Sequence, residues 1–445
     1  MNTRDVPMPS PGVRRREIFG WAMFDFAGQA YTLLIITVVF GDLFTRVIVG
    51  DAQDGYRLGN LLWSVSLALG YLVVVLAAPM LGAVLDITGG RKRALAATTL
   101  VTAASTALLY FVEPGLAWLG VALMVVSNAA YCLGEGVVAS WLPRLGRADQ
   151  LGTISGFGWA LGYVGGLVAT GFALAFLGEA SAANFERVRW VGPFAAAFML
   201  LAAVPTFLLL REPARGRALP LRAWPALGWR RVRRTLVHLK GQRDLALLLA
   251  SIFFSLCGIS IIVAFTFIYG AQVIGWDEPV RVAMFVIVQV TAAAGAFAFG
   301  VLQDRAGARF VYGLTLLAWV VAVLAVFATP DIATWARRAL GVDWQAQHVF
   351  LAVGVLAGSC LGSAQSAGRA LVAVLAPPAR AAELFGFWNV AGRAAAIVGL
   401  VGIGLLQAWL GLRHAILFRA VLFAASWLVL MRVDVARGRR AAGTA

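Results

Sequence analysis

The chain has 445 residues, of which 61% are hydrophobic and 13% are charged, and its mean hydropathy is +0.84. A soluble globular protein carries about 25% charged residues, so this composition excludes an ordinary cytosolic enzyme, a disordered protein and a secreted disulfide scaffold. The net charge of +16 falls in short gaps between apolar stretches, which indicates membrane topology signals and not a nucleic-acid-binding surface. The sequence therefore predicts a multi-spanning, all-α membrane protein.

Twelve stretches are long and apolar enough to cross a bilayer, which requires about 20 mostly apolar residues. They are 18–45, 58–84, 94–112, 116–141, 152–177, 190–210, 245–273, 280–302, 310–328, 346–376, 384–408 and 413–431. We expect two six-helix bundles, at 18–210 and 244–432, joined by a basic linker at 211–243. Residues 1–17 and 433–445 would then be cytoplasmic tails.

The distribution of lysine and arginine predicts the orientation. With the N-terminus in the cytoplasm, 26 of these residues fall in inside segments and eight fall in outside segments. This bias predicts that both termini are cytoplasmic, in a plasma (inner) membrane. In the linker, basic residues alternate with apolar ones, which predicts a helix drawn to the inner membrane face by anionic lipid. An irregular basic loop is the alternative.

A short motif occurs twice. Residues 82–91 read GAVLDITGGR and residues 300–309 read GVLQDRAGAR, so Gly, Asp, Gly and Arg recur at the same offsets 218 positions apart. Each copy follows the second helix of its half. A repeat at equivalent topological positions indicates duplicated, pseudo-symmetric halves around a central site.

The first copy, GAVLDITGGRKR, resembles the loop motif of the major facilitator superfamily. Three further segments resemble the branch called the unknown major facilitator family, related to the fungal autophagy-related vacuolar amino-acid effluxers: GWAMFDFAGQAY at 20–31, SGFGWALGYVGG at 155–166 and APPARAAELFG at 376–386. The first of these departs from the pattern at Gly28 and Gln29, where many members carry Asn-Ser. The resemblance covers nearly the whole chain and implies the twelve-helix major facilitator fold.

In that fold, the loop carboxylate meets the N-terminus of a helix in the other half. For Asp86 this implies the eleventh helix, near Gly386. For Asp304 it implies the fifth helix, near Ser155. A carboxylate is stabilised at a helix N-terminus by about 0.3–2 kcal/mol, so two such contacts would latch the halves together on the cytoplasmic side. We assign four residues to this gate: Asp86, Arg91, Asp304 and Arg309.

Few ionisable residues lie inside the predicted spans, and each is costly there. Arg419 is near the outer end of its span, where it can extend to the interface, and we assign it no function. Asp25, Glu135, Arg369 and Arg393 lie roughly 9–14 Å from the inner ends of their helices, at 1.5 Å per residue. They share a layer, with both acids in the first half and both arginines in the second.

This arrangement suits a zwitterion, because the acids can bind an ammonium group and the guanidinium groups a carboxylate. The helices that carry these residues border the central cavity in the family fold. The predicted site for substrate or coupling ion comprises Asp25, Gln29, Tyr31, Glu135, Arg369 and Arg393.

Structural roles are the alternatives to ligand binding. Asp25 could pair with Arg369 or Arg393 to hold the halves together, and Glu135 could brace its own helix. Arg393 could bind helix-end carbonyls, whereas Arg369 has the strongest claim as a ligand. A buried acid could also carry a coupling proton, for which we favour Asp25.

Glycines recur every fourth residue in two helices, which indicates close helix packing. They are Gly158, Gly162 and Gly166 in the fifth helix and Gly354, Gly358 and Gly362 in the tenth.

No nucleotide-binding, zinc-binding or nucleophile motif occurs, so we expect neither an enzyme nor a bound cofactor or metal. The sequence predicts a monomeric secondary active transporter that works by alternating access on a small solute, such as an amino acid or similar zwitterion, by efflux or with proton coupling. A non-transporting membrane sensor or assembly protein and a lipid-moving carrier are the alternatives.

Overall fold

The computed structural model describes residues 11–50, 53, 56–178, 181–212, 222, 224–238, 243–341 and 344–441. Its elements there are helices, and these ranges contain no strand. We number the long helices α1 Pro11–Ala30, α2 Arg57–Thr88, α3 Arg91–Leu108, α4 Ala117–Ala139, α5 Leu151–Leu177, α6 Val191–Leu209, α7 Arg243–Tyr269, α8 Glu278–Ala306, α9 Ala308–Leu340, α10 Ala346–Leu375, α11 Ala381–Ala415 and α12 Leu417–Leu430. We call α1–α6 the first half and α7–α12 the second half.

Eleven helices of the described residues are long and apolar enough to cross a membrane, or twelve if one bent pair is a single span. The first span continues from α1 through a π-helical segment, Tyr31–Val38, to Val49. The bent pair is Trp409–Ala415 with Leu417–Leu430, whose axes differ by 63°. Gly411 lies within the first segment of this pair, and its φ of 72° is not a helical value.

One predicted boundary is wrong. We expect the ninth span to end at 328, but α9 continues to Leu340 with Pro330 inside it. Arg337 and Arg338, which the prediction places in a loop, are helical instead. The predicted end of the eleventh span at 408 agrees with the span in α11, which ends at Gln407.

Glycine turns join consecutive helices at one end of the bundle, which we call the inner end because the charge bias predicts that it is cytoplasmic. Gly89 and Gly90, with φ of 70° and 76°, connect α2 to α3. Gly307, with φ of 95°, connects α8 to α9. Side chains other than hydrogen disfavour these φ values, so the repeated glycines allow each reversal of direction.

The two halves contact each other at the inner end through α2 with α11 and through α5 with α8. A Cβ added at Gly300 would lie 2.6 Å from the carbonyl oxygen of Gly152, and one added at Gly386 would lie 2.7 Å from that of Ala78. Neither contact leaves room for a side chain. Small residues thus bring the backbones of the two halves together.

The predicted helix in the linker is present at Trp224–His238. It packs on α2, where Gly228 lies against Met80, while Trp229 and Arg230 are exposed. Contact of this helix with anionic lipid stays a prediction. The remainder of the linker, at 213–221, 223 and 239–242, lies outside the described residues, as do 1–10 and 442–445 of the tails.

The prediction that Arg419 extends to the membrane interface is wrong. Only 3% of its surface is exposed, because α12 turns this residue inward, toward Tyr269 of α7. The packing of neighbouring helices, and not the position of Arg419 along its span, therefore determines how much of its side chain is exposed.

Candidate functional site

An ion pair between Asp25 and Arg369 connects the first half to the second. Nη1 of Arg369 lies 2.8 Å from Oδ2 of Asp25. The same guanidinium donates from Nε to the Ser155 hydroxyl at 3.1 Å and from Nη2 to the Ser155 carbonyl at 3.0 Å. The Arg369 side chain is 4% exposed. Arg369 therefore binds α1 and α5 from α10 in a site that is almost closed to solvent.

Two indole rings cover this guanidinium. The Arg369 Cζ atom lies 4.6 Å from the ring centre of Trp21 and 5.3 Å from that of Trp159. Guanidinium groups are attracted to aromatic faces, and more strongly where water is excluded. The rings and the serine together orient Arg369 toward Asp25.

A second ion pair joins Glu135 of α4 to Arg393 of α11. Nε of Arg393 also donates to Oδ1 of Asn389 at 3.3 Å, and the guanidinium faces the ring of Tyr71 at 5.3 Å. The Glu135 and Arg393 side chains are 30% and 24% exposed, whereas Asp25 and Arg369 are 17% and 4% exposed. The second pair is therefore the more accessible to a solute.

Hydroxyl groups extend the second pair along the first half. Tyr131 donates its hydroxyl to Oε1 of Glu135 at 3.4 Å and accepts the Thr32 hydroxyl at 2.9 Å. An added Cβ on Gly28 would lie 3.1 Å from the Tyr131 ring, so this glycine makes space for the ring. A polar row thus runs from the π-helical segment after α1, across α4, to α11.

The structure decides between the structural alternatives. Asp25 pairs with Arg369 and not with Arg393. Glu135 bonds across to the second half instead of only bracing α4, and Arg393 bonds to side chains rather than to helix-end carbonyls. All four charges are thus joined in two acid–arginine pairs that cross between the halves.

The two uncharged residues of the predicted site are in different surroundings. Gln29 is partly exposed and its amide nitrogen lies 3.5 Å from where a Cβ on Gly162 would be. Tyr31 is 1% exposed, and its hydroxyl shares a 2.8 Å hydrogen bond with Ser127 of α4. Gln29 is thus the more exposed of the two, whereas Tyr31 packs inside the first half.

The repeated carboxylates each contact a helix N-terminus of the opposite half. Asp86 accepts the backbone amides of Ala382 at 3.1 Å and Glu383 at 2.9 Å, in the first turn of α11. Asp304 accepts those of Gly152 and Thr153, both at 2.8 Å, in the first turn of α5. These are the helices that the resemblance implied. We call the two contacts the Asp86 latch and the Asp304 latch.

The two latch arginines differ in their partners. Nη2 of Arg91 lies 2.5 Å from Oδ1 of Asp86, and its Nη1 donates to the Ser140 carbonyl at 3.0 Å. Arg309 instead donates to the carbonyl of Met431 at 2.6 Å. Arg91 therefore completes its latch, while Arg309 attaches α9 to the end of α12.

The glycine rows lie at helix contacts. In α5, Gly158 and Gly162 lie against Asp25 of α1, and Gly166 lies against Leu33 and Gln289. The α10 row, which comprises Gly354, Gly358 and Gly362, lies against Met284, Val288 and Ala292 of α8. The first row leaves space for the Asp25–Arg369 pair, which a larger residue would displace.

Comparison with known proteins places the fold in a family. A family model described as "Vacuole effluxer Atg22 like" matches residues 60–443. The chain belongs to this family. An Atg22-like relative, "Autophagy-related protein 22-1" of Aspergillus niger, is 23% identical over 324 residues, which are 70% of this chain and 52% of that protein. The "Uncharacterized MFS-type transporter YxiO" of Bacillus subtilis is 24% identical over 426 residues, which are 92% of this chain and 93% of that protein.

Solved structures show the same fold. The human organic anion transporter MFSD10 superposes with a TM-score of 0.71 at 17% identity, covering 95% of this Atg22-like chain and 100% of that chain. The proton:xylose symporter XylE gives a TM-score of 0.66 at 14% identity, covering 94% of each chain. The Atg22-like chain thus has the all-α, multi-pass fold of these two transporters.

Sequence reasoning missed two polar residues around these contacts, Ser155 and Glu212. Ser155 supplies two oxygens to Arg369, and Glu212 accepts the first two amides of α3 at 2.8 and 2.7 Å. Asn389 donates to the Cys132 carbonyl at 2.5 Å and so joins α11 to α4. Neither Ser155 nor Glu212 had a usable sequence signal, since Glu212 is 121 residues from the start of α3 that it caps.

Proposed function

We propose that this chain carries a small zwitterion of the amino-acid class, and that the Glu135–Arg393 pair is where the charges of the substrate bind. The observation that carries the proposal is the partly exposed acid–arginine pair between α4 and α11. Its two charges come from opposite halves, and Tyr71, Tyr131 and Asn389 border it. The family is described as a vacuole effluxer family, which supports efflux as the direction.

The chemistry favours a zwitterion over a single ion. A substrate ammonium group can replace Arg393 at Glu135 while the substrate carboxylate replaces Glu135 at Arg393. Each protein charge then keeps a partner of opposite sign. A lone cation or anion would leave one protein charge unpaired, which is costly in a site of low dielectric.

The same exchange couples binding to movement. In the unliganded pair, Glu135 and Arg393 hold α4 to α11. A substrate between them lengthens the connection, so that the halves can move relative to each other without leaving either charge exposed. We infer that the substrate lowers the cost of rearrangement by binding both halves, as alternating access requires.

The Asp25–Arg369 pair has a different proposed role. It is nearly enclosed, and Ser155 and two indoles fix its arginine. A proton on Asp25 would cancel the attraction to Arg369 and loosen α1 from α10. Asp25 is therefore the proposed coupling site, with Arg369 as its partner and not as a primary ligand. The two latches are the proposed inner gate, in a monomer within the plasma membrane with cytoplasmic termini.

Flux measurements test the substrate site. We would reconstitute the purified chain in proteoliposomes and measure exchange of radiolabelled amino acids with and without a pH gradient. Glu135→Gln and Arg393→Gln should each reduce exchange at least about 10-fold, since each removes a charge-assisted bond of about 1.5–3 kcal/mol. Asp42→Asn, which alters an exposed carboxylate in an i,i+4 pair, is the matched control and should leave exchange unchanged.

The outcomes separate the alternatives. Competition by zwitterions, but not by the corresponding amines or carboxylic acids, supports the proposal. Full exchange in both Gln variants removes the pair from the site. Movement of a labelled phospholipid without amino-acid flux would instead assign a lipid-moving carrier.

The proton role has its own test. Asp25→Asn should abolish uptake driven by a pH gradient while it preserves substrate exchange, because exchange requires no net proton movement. Unchanged driven uptake would exclude Asp25 as the coupling site, and loss of exchange as well would indicate that the pair is structural.

A further inference from the structure

Arg419 is a buried cation that forms no ion pair with any described residue. It lies in the first turn of α12 and is 3% exposed. Its Nε donates to the Ile416 carbonyl at 3.2 Å, while Nη2 is buried and has no hydrogen-bond partner among the described residues. Because an unpaired buried guanidinium is strongly unfavourable, its surroundings favour binding of an anion.

A second arginine, Arg413, lies on the other side of the α11–α12 junction and shares the neighbour Tyr269 with Arg419. Arg413 donates from Nη2 to Oδ2 of Asp331 at 2.6 Å and lies over the ring of Phe327 at 5.1 Å. Its Nε is also buried without a partner in the part of the chain that the structure describes. Tyr269 of α7 is within electrostatic reach of both arginines and bonds to the Val326 carbonyl at 3.3 Å. The cluster lies where α7, α9 and the α11–α12 junction meet.

The charges near this cluster favour a monoanion. Among the described residues, Asp331, which is 69% exposed, pairs with Arg413, and no carboxylate forms an ion pair with Arg419. The remaining titratable neighbours are Tyr269 and His414, whose ring lies 5.7 Å from that of Phe327. Planar guanidinium donors match the spacing of oxyanion oxygens.

The first half shows how this chain satisfies a buried arginine at its outer end. Arg189 donates to the Tyr110 carbonyl at 2.9 Å, to Glu186 at 3.2 Å and to Glu113 at 2.7 Å. All three of its nitrogens thus have acceptors. Among the described residues, the Arg419 guanidinium has one carbonyl acceptor where Arg189 has three, so its remaining donors are open to an anion.

The depth of the cluster fits a lipid phosphate. Trp335 and Trp409, near Asp331 and Arg413 in the chain, are 60% and 87% exposed. Exposed tryptophans of a membrane protein concentrate at the headgroup level. We propose that Arg413 and Arg419 form a phosphate-binding site at the outer end of the second half. The phosphate belongs either to a lipid headgroup or to free inorganic phosphate.

Thermal unfolding tests this site. The delipidated full chain in detergent would be heated with phosphatidylglycerol, with a galactolipid that has no phosphate, or with inorganic phosphate against chloride at equal ionic strength. Phosphatidylglycerol should raise the melting temperature by about 2 °C or more over the galactolipid, because a ligand of the folded state stabilises it. Arg419→Gln should abolish this increase.

Arg46→Gln is the matched control, because Arg46 is an outer arginine whose side chain is 60% exposed. It should keep the full response to phosphatidylglycerol. A response to inorganic phosphate alone would assign the site to a free anion. No response to either phosphate source, or an undiminished response in Arg419→Gln, would overturn the proposal.

A second variant covers failure of Arg419→Gln to fold. Native mass spectrometry of the wild-type chain should show one retained phospholipid or phosphate adduct, and Arg413→Gln should lose it. A wild-type chain without any such adduct, or an Arg413→Gln chain that retains it fully, would contradict the site.

Discussion

The two latches have the same motif but very different surroundings. At the Asp86 latch, the carboxylate binds two amides of α11 and Arg91, and Arg91 extends the contact to Ser140. Glu212 then caps the start of α3, and Lys92 donates to the Leu210 carbonyl at 3.0 Å. This latch therefore connects α2, α3, α4, α6 and α11.

The Asp304 latch is simpler. Asp304 binds two amides of α5, and the matching arginine contacts the end of α12. The difference begins in the turn. Gly89 and Gly90 form a two-residue turn before Arg91, whereas Gly307 alone forms the other turn and Ala308 already begins α9. Arg309 is thus the second residue of its helix, about 100° of rotation from where Arg91 stands in α3.

This comparison indicates that one additional turn residue, Gly90, decides whether the latch arginine is buried beside its aspartate. The Asp86 and Arg91 side chains are 0% and 3% exposed, so their pair is a buried ionic contact. We expect the Asp304 latch to open at the lower cost, since fewer bonds depend on it.

Removal of the two latch carboxylates should give the largest difference in unfolding free energy between the latches. Asp86→Ala leaves Arg91 buried without its counter-ion and should lower the free energy of unfolding by about 3–5 kcal/mol. Asp304→Ala removes two acceptors and should cost about 1–3 kcal/mol. Unfolding in detergent, followed by circular dichroism, measures both, and equal losses would contradict the assigned difference.

Removal of the arginines should show the same order at a smaller scale. Arg91→Gln should cost about 1.5–3 kcal/mol, because charge-assisted bonds to Asp86 and Ser140 are lost. Arg309→Gln removes one bond at the exposed end of α12 and should cost about 1 kcal/mol or less. A larger loss of unfolding free energy for Arg309→Gln than for Arg91→Gln would contradict the conclusion that the two-residue turn produces the stronger latch.

The turn itself can be tested at Gly90. An added Cβ would meet no atom within 4 Å, so Gly90→Ala probes the backbone alone. Since φ is 76°, the substitution should cost about 1–2 kcal/mol. Ala308→Gly, at a helical position, is the control and should cost less than about 1 kcal/mol. The two variants should unfold alike if Gly90 does not need its left-handed conformation.

The smallest effect is expected at the cap of α3. Glu212→Gln keeps an oxygen acceptor but removes the charge at the helix N-terminus, which should cost about 0.3–1 kcal/mol. Glu186→Gln, on a side chain that is 80% exposed, is the control and should be near neutral. If Glu212→Gln lowered the free energy of unfolding as much as Arg91→Gln, the cap of α3 would contribute as much to the latch as the Asp86–Arg91 pair.

Prediction from the sequence succeeded for features that depend only on position along the chain, such as the spans and the repeated motif. Apolar length located the spans, and the repeated motif with its family resemblance named the helices that Asp86 and Asp304 contact. It could not tell Arg91 from Arg309, because their different partners arise from a helix that begins one residue earlier. It also missed Ser155, since an isolated serine carries no sequence signal for binding an arginine.

By itself, the sequence determined the class of protein and the number and order of the spans to within one bent pair. The spans follow from sequence because each helical residue advances about 1.5 Å along the axis, so that about 20 consecutive apolar residues cross a bilayer. Only the tertiary structure decided that Asp25 pairs with Arg369, that Glu135 pairs with Arg393 and that Arg419 is enclosed. The direction in which a side chain points, and what it meets, depend on the rotation and packing of neighbouring helices that are distant in sequence.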